Sequence, residues 1–194
     1  MNNFIRQFTA IKLIFITTLL LALAATTSLA QEKGEDRYKL RVDIPGIAGE
    51  GLGGAIDAVG TDSLLTAAVD SGTGASSGRP KFNPLVITKA IDSATPKLFD
   101  ACAGGDHLRL VQVSWIRSNH MSKGGEVVYF KVILEDVQIT SVRSRLPNQN
   151  QASGIELGPV EEVTFSFGRI TWIYTLPNGG TIKESYDVRA GRRI

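Results

Sequence analysis

The hydrophobic positions of this chain recur mainly with a period of two. Tyr38, Leu40, Val42 and Ile44 alternate with charged residues, which predicts a half-buried strand ending at Pro45-Gly46. Residues 46–80 are rich in Gly, Ser, Thr and Ala, with weak strand signals near Ala55–Val59 and Leu64–Val69. They predict a long loop carrying one or two short strands and ending in a flexible run, Ser71 to Gly78. Leu85–Thr88 form a further strand, whose start Pro84 confines to an edge or a bulge. One helix follows, with Thr95 as its cap, Pro96 at its first position and Gly104-Gly105 as its stop. Leu98, Phe99 and Cys102 share one face, and so short a helix must dock on the sheet to be stable.

The second half predicts strand after strand: Leu108–Arg117, Val127–Val142, Val160–Leu176 and Ile182–Val188. The turns between them are Lys123-Gly124-Gly125, Pro147 to Gly154, and Pro177-Asn178-Gly179-Gly180. Two of the strands change phase within their length. Val128, Phe130, Val132 and Leu134 give way to Val137 and Ile139, and Val163, Phe165 and Phe167 give way to Ile170, Trp172 and Tyr174 across Gly168. A one-residue phase change is the mark of a β-bulge, and bulged long strands close sheets into barrels. The fold class is therefore mainly β, an antiparallel β-barrel with one short α-helix docked on its side. Phe99, Phe130, Phe165 and Trp172 lie on the apolar phases and are the expected core aromatics.

The amino terminus changes the picture. Arg6 and Lys12 precede an uncharged apolar run, and Ser28-Leu29-Ala30 places small residues where a signal peptidase cuts. Residues 1–30 are expected to be a cleaved signal peptide, and 31–194 one barrel domain sent to the periplasm or the exterior, with no membrane insertion after cleavage. Losing Arg6 and Lys12 brings the 21 Lys and Arg to 19, equal to the 19 Asp and Glu, so the domain is near neutral. A nucleic-acid partner would need a basic face that this balance does not supply. Cys102 is the only cysteine, so no internal disulfide forms and stability comes from packing or assembly.

Chemistry is sparse. Gly49-x-Gly51-x-x-Gly54, with Asp70 beyond it, matches a dinucleotide fingerprint, but Gly60-Thr61-Asp62 interrupts the helix that such a site requires, so the segment reads as loop. His107 and His120 have no ligand partners at zinc spacing and no nucleophile elbow beside them. Cys102 reads as a buried, inert thiol. Glu135-Asp136 and Glu161-Glu162 are strand neighbours pointing to opposite faces, so neither pair is an acid/base device by itself. Arg189, Arg192 and Arg193 form a solvated tail or an inter-subunit contact. No catalytic, metal or cofactor residue is assigned.

From about Arg79 onward the chain resembles the haemolysin-coregulated protein (Hcp) family, the tube subunits of type VI secretion systems. The resemblance rests on Ile87 to Asp92, Ala94 to Cys102, Tyr129 to Val137 and Val163 to Ile170, with Val42 to Glu50 similar to the family's first strand and loop. It implies a barrel with a helix on its side, a ring of six copies that stacks into tubes, and effector proteins carried in the lumen. Subunits of that family ordinarily carry no export signal. The chain is thus expected to be a structural ring-forming subunit, a variant used outside the cytoplasm, built by head-to-tail contacts through the loop after Gly46 and through Tyr186 to Arg189. The other reading is an exported binding module that uses the Gly/Ser-rich loop for a ligand or a cell-surface component.

Overall fold

The structure, a computed structural model, describes residues 38–119, 125–146 and 158–194. The expected signal peptide, His120, Lys123-Gly124 and the turn from Pro147 to Gly154 lie outside the described residues. Among the described residues ten strands and one α-helix follow in order, with a single 3-10 turn at Leu52–Gly54: β1 (Lys39–Asp43), β2 (Ile56–Asp62), β3 (Leu65–Thr66), β4 (Lys81–Phe82), β5 (Leu85–Ala90), α1 (Thr95–Gly104), β6 (His107–Asn119), β7 (Gly125–Arg145), β8 (Val160–Thr175), β9 (Thr181–Asp187) and β10 (Arg192–Arg193).

Six of these close a barrel in the order β8–β5–β2–β1–β6–β7, with β7 returning to β8, and every pairing is antiparallel. Strand β8 makes the closure possible because it is long enough for three partners. One edge pairs with β7 from Val160 to Tyr174; the other pairs first with β5 and then with β9. Val42, Ile56, Ile87, Val111, Val113, Leu134, Val163 and Phe165 fill the interior and are almost wholly buried.

The phase changes expected in β7 and β8 are present, but they are not register shifts. Glu135 pairs with Arg169 and Val137 with Phe167, so the ladder keeps its count across Asp136 and Gly168. Asp136 instead adopts a left-handed φ of 54°, the one such non-glycine residue among those described. A Cβ on Gly168 would stand 3.0 Å from the Asp136 carboxylate, so the glycine makes room for the turned-out residue. True register shifts occur elsewhere: between Trp115 and Ile116, between Ile139 and Ser141, and between Ala58 and Gly60. Such extra residues bend and twist a strand, as closure of a small barrel demands.

The long loop contains more structure than its composition suggests. Ile56–Asp62 is a full barrel strand, with Ile56 and Ala58 turned inward. Beyond it, β3 and β4 form a short hairpin arm, extended by a bridge between Val69 and Ser76. The run from Ser71, expected to be flexible, starts in an ordered turn. The Asp70 carboxylate accepts hydrogen bonds from the Gly72 and Thr73 amides at 3.0 and 2.8 Å and from the Thr73 hydroxyl at 2.8 Å. The Thr73 bonds, the hydroxyl's first, hold its pKa below the ordinary aspartate value.

Helix α1 also departs from expectation. Ala94, not Thr95, occupies the cap, and Pro96 lies within the first turn. Leu98 and Ala101 are buried, Cys102 is half-buried, and the helix rests on β7. Phe99, expected in the core, is 42% exposed. The buried face runs through Ala94, Leu98 and Ala101, at i, i+4 and i+7, which rotates Phe99 to its border. Phe165 is wholly buried, whereas Phe130 and Trp172 are half-buried against the core. Truncating Phe165 to Ala is expected to cost about 3–5 kcal/mol by urea unfolding, the usual range for a core phenylalanine. Truncating Phe99 should cost no more than about 1 kcal/mol.

Candidate assembly surfaces and the buried charge network

The strongest polar constellation lies inside the molecule. Lys89 follows Leu85 and Ile87 on the inward phase of β5, and Glu161 precedes Val163 and Phe165 on the inward phase of β8. The two are register partners and both are wholly buried. Lys89 Nζ donates to Glu161 Oε1 and to the Ala90 carbonyl, each at 2.7 Å, and lies 2.7 Å from Asp92 Oδ1. The Thr95 hydroxyl donates to Glu161 Oε1 at 2.9 Å and accepts from the Asp92 amide at 3.1 Å, while Asp92 Oδ1 accepts from the Ala94 amide at 2.8 Å. Thr95 is therefore a link between the helix and the buried pair rather than a helix cap. Two opposite charges on the inward phases of neighbouring strands were the available sequence signal.

Glu161 and Glu162 do point to opposite faces, with Glu162 outside and paired with Arg145. Glu135 and Asp136 do not. Because Asp136 turns out of phase, both line one surface cleft of about 500 Å³ together with His107, Arg109, Arg169 and Arg189. The carboxylates there are matched by cations: Arg169 lies 3.5 Å from Glu135 and 3.8 Å from Asp187, and Arg189 pairs with Asp136. His107 Nδ1 sits 3.5 Å from Asp136. The Ala190 amide, ahead of Arg169, holds the Asp187 pKa below the ordinary range. Carboxylates matched in this way by arginines suit a structural clasp between β7, β8 and the carboxyl-terminal ribbon. Arg189 belongs to this clasp rather than to a solvated tail, while Arg192 and Arg193 form β10 against β9.

The glycine fingerprint forms a closed turn. Gly49 and Gly51 donate to the carbonyls of Gly54 and Ala55 at 2.9 and 2.8 Å, and the chain continues into strand β2 rather than a helix. A Cβ on Gly49 would come within 2.8 Å of the Ala55 carbonyl, so close backbone packing accounts for the glycine. Cys102 is a free, half-buried thiol. Among the described residues, no group of three His, Cys, Asp or Glu could hold a metal ion.

The surface features that remain are apolar. Leu52, Val59, Leu64, Leu65 and Val69, all in the β1–β2 loop, β2 and the arm, are at least half exposed. Beside them a groove of about 850 Å³ runs past Tyr38, Leu52, Val59 and Trp115, with Arg41 and Glu126 among its polar lining. Lys39 and Arg41 both pair with Glu126, and the Lys39 hydrogen bond is the main cause of its lowered pKa. Barrel closure pairs much of the wall, while the outer edge of β9 from Thr181 to Glu184 has no strand partner among the described residues. Exposed apolar side chains and the arm are the other surfaces available for association.

A barrel of this topology with a side helix and an apolar arm can be compared with known proteins. The family model described as "Type VI secretion system effector, Hcp" matches residues 58–174. The chain belongs to the Hcp family. The "Major exported protein" of Pseudomonas aeruginosa is 30% identical over 105 residues, which is 54% of this chain and 60% of that protein; the match thus spans about three-fifths of the relative's length. Among solved structures, Hcp1 from Salmonella typhimurium superposes with a TM-score of 0.64 at 24% identity, covering 81% of this chain and 99% of that one. Hcp1 from E. coli EAEC 042 gives 0.61 at 25% identity, covering 77% and 97%. The Hcp match begins within β2 and ends in β8, so it takes in β5, α1 and the Lys89 network.

Substituting Lys89 by Met is expected to cost about 3–5 kcal/mol in chemical denaturation, because it leaves the Glu161 charge buried without a counterion. Replacing both partners, Lys89→Met with Glu161→Leu, should recover most of that loss, since two apolar groups demand no desolvated charge.

Proposed function

We propose that this chain is an exported, structural ring-forming subunit of the Hcp type. Its family membership supports a part in type VI secretion, and the relative named as a major exported protein supports export. The observation that carries the assembly reading is the exposed apolar series from Leu52 to Val69, whose Leu52 and Val59 also line the groove past Tyr38 and Trp115. Unlike surfaces that meet head to tail generate a ring when the rotation closes. Arm and groove, with Tyr186 to Arg189 at the carboxyl end, are the proposed contacts. Six copies around an open centre, able to stack and to hold effector proteins in the lumen, is the assembly that the family resemblance implies. The role is structural rather than catalytic.

Light scattering after size-exclusion chromatography should report about six times the subunit mass, with open-centred rings in negative stain. Changing Leu64 and Leu65 to Asp should shift the protein towards monomer while leaving its far-ultraviolet circular dichroism unchanged. A parent protein that stays monomeric at micromolar concentration would overturn the ring.

Export makes a separate prediction. Amino-terminal sequencing of the protein recovered from a bacterial host should begin at Gln31. Intact Met1 in the cytoplasmic fraction would place the subunit inside the cell instead.

A further inference from the structure

Helix α1 is attached to the barrel in an uneven way. Its apolar anchorage is slight: Leu98 is the one large side chain that is fully buried, beside Ala94 and Ala101, while Phe99 stays 42% exposed. A ten-residue helix has little stability of its own. At its carboxyl end it closes on Gly105, in a left-handed conformation with φ 67°, and the Gln138 amide reaches the Gly105 carbonyl at 3.4 Å. The amino end, by contrast, is tied to the barrel interior by a charge network. Glu161 from β8, Asp92 from the connecting turn and Thr95 from the helix each place an oxygen within 3.3 Å of Lys89 Nζ from β5. No strand of the wall depends on the helix for its ladder, since β5 is paired with β2 and β8 and β6 with β1 and β7.

We propose that α1 is a detachable element and that the Lys89–Glu161–Asp92–Thr95 network is its latch. With the latch closed, helix and barrel are one unit. When it opens, residues from Ile91 to Asp106 leave the barrel wall, Leu98 and Cys102 become accessible, and the six-stranded closure persists. Lys89 faces both Glu161 and Asp92, so its loss leaves Glu161 buried without a counterion, while loss of either carboxylate leaves Lys89 with one partner instead of two. Such a site opens locally at a small cost relative to the whole domain, because few apolar contacts are broken. This inference does not depend on ring formation and can be tested on a monomer.

The test is native-state hydrogen–deuterium exchange on the full mature protein, read by mass spectrometry at several urea concentrations below the unfolding transition. Amides of α1, including the Leu98 amide bonded to the Ala94 carbonyl at 3.0 Å, should exchange at least about tenfold faster than those of the β7–β8 ladder. Their rate should also be nearly independent of urea, because a local opening exposes little surface. E161Q should speed α1 by about a further tenfold and leave the β7–β8 amides within roughly twofold of the parent. T95V, which keeps the charged pair but removes the hydroxyl link, should move α1 in the same direction by less. If α1 and β7–β8 exchange together with one urea dependence in the parent, the helix opens only with the whole domain and the latch is wrong. Unchanged α1 exchange in a folded E161Q overturns it equally. Should E161Q fail to fold, the urea dependence of the parent decides alone.

Discussion

Closure of the barrel rests on strand β8, and most other features follow from its three-partner role. Its first half must present Val163 and Phe165 inward to β5, and its second half must present Ile170 inward while offering its far edge to β9. A strand of unbroken alternation could not do both with these side chains, because Arg169 and Thr171 would then share the inward phase. The break at Gly168, opposite the left-handed Asp136, changes the inward phase while the register on either side of it is kept. A register shift at that point would have moved one long strand against the other and spoiled the pairing on one side.

The same phase that buries Val163 and Phe165 also buries Glu161, and the phase that buries Leu85 and Ile87 buries Lys89. A charge inside a barrel is tolerable only with a partner, and direct register pairing supplies one. The pair then organises the polar turn that leads into the helix. Charge in the core thus serves to place an element, in the sense that it specifies where α1 begins, rather than to add net stability.

Closure pairs most of the barrel wall but leaves part of the sheet edge open. The outer edge of β9 from Thr181 to Glu184 has no strand partner among the described residues, and the rest of the accessible surface is made by side chains. The apolar residues of the β1–β2 loop, β2 and the arm are among those, and the Phe82 ring at the base of the arm packs against Trp172 and Tyr186, which ties the arm to β8 and β9. The ion pairs near Asp136 hold the carboxyl-terminal ribbon to the same wall. Arm and ribbon are thereby fixed to a rigid frame.

Alternation along Leu40–Ile44, Val128–Leu134 and Val160–Phe167, the phase changes near Asp136 and Gly168, and the Pro177 to Gly180 turn were all legible in the chain. Each is a local matter, set by the two-residue period of a strand and by the freedom of glycine. The blocks that resemble Hcp were legible too, and with them the family. What lay beyond the sequence was decided by contacts between distant residues. Whether Phe99 or Ala101 is buried depends on how the helix is rotated on the barrel, where Ala94, Leu98 and Ala101 are buried and Thr95 bonds to a carboxylate 66 residues further on. That Glu135 and Asp136 share one cleft depends on a backbone turn for which Gly168, on another strand, makes room. The weak strand signal at Ala55–Val59 becomes a wall strand running on to Asp62, because β1 pairs with its first residues and β5 with its last, although its Gly, Thr and Asp resemble loop. Local pattern determined which residues could form strands; only the closed barrel determined which of them pair and which charges meet inside it, because pairing energy is realised between segments that the sequence keeps apart.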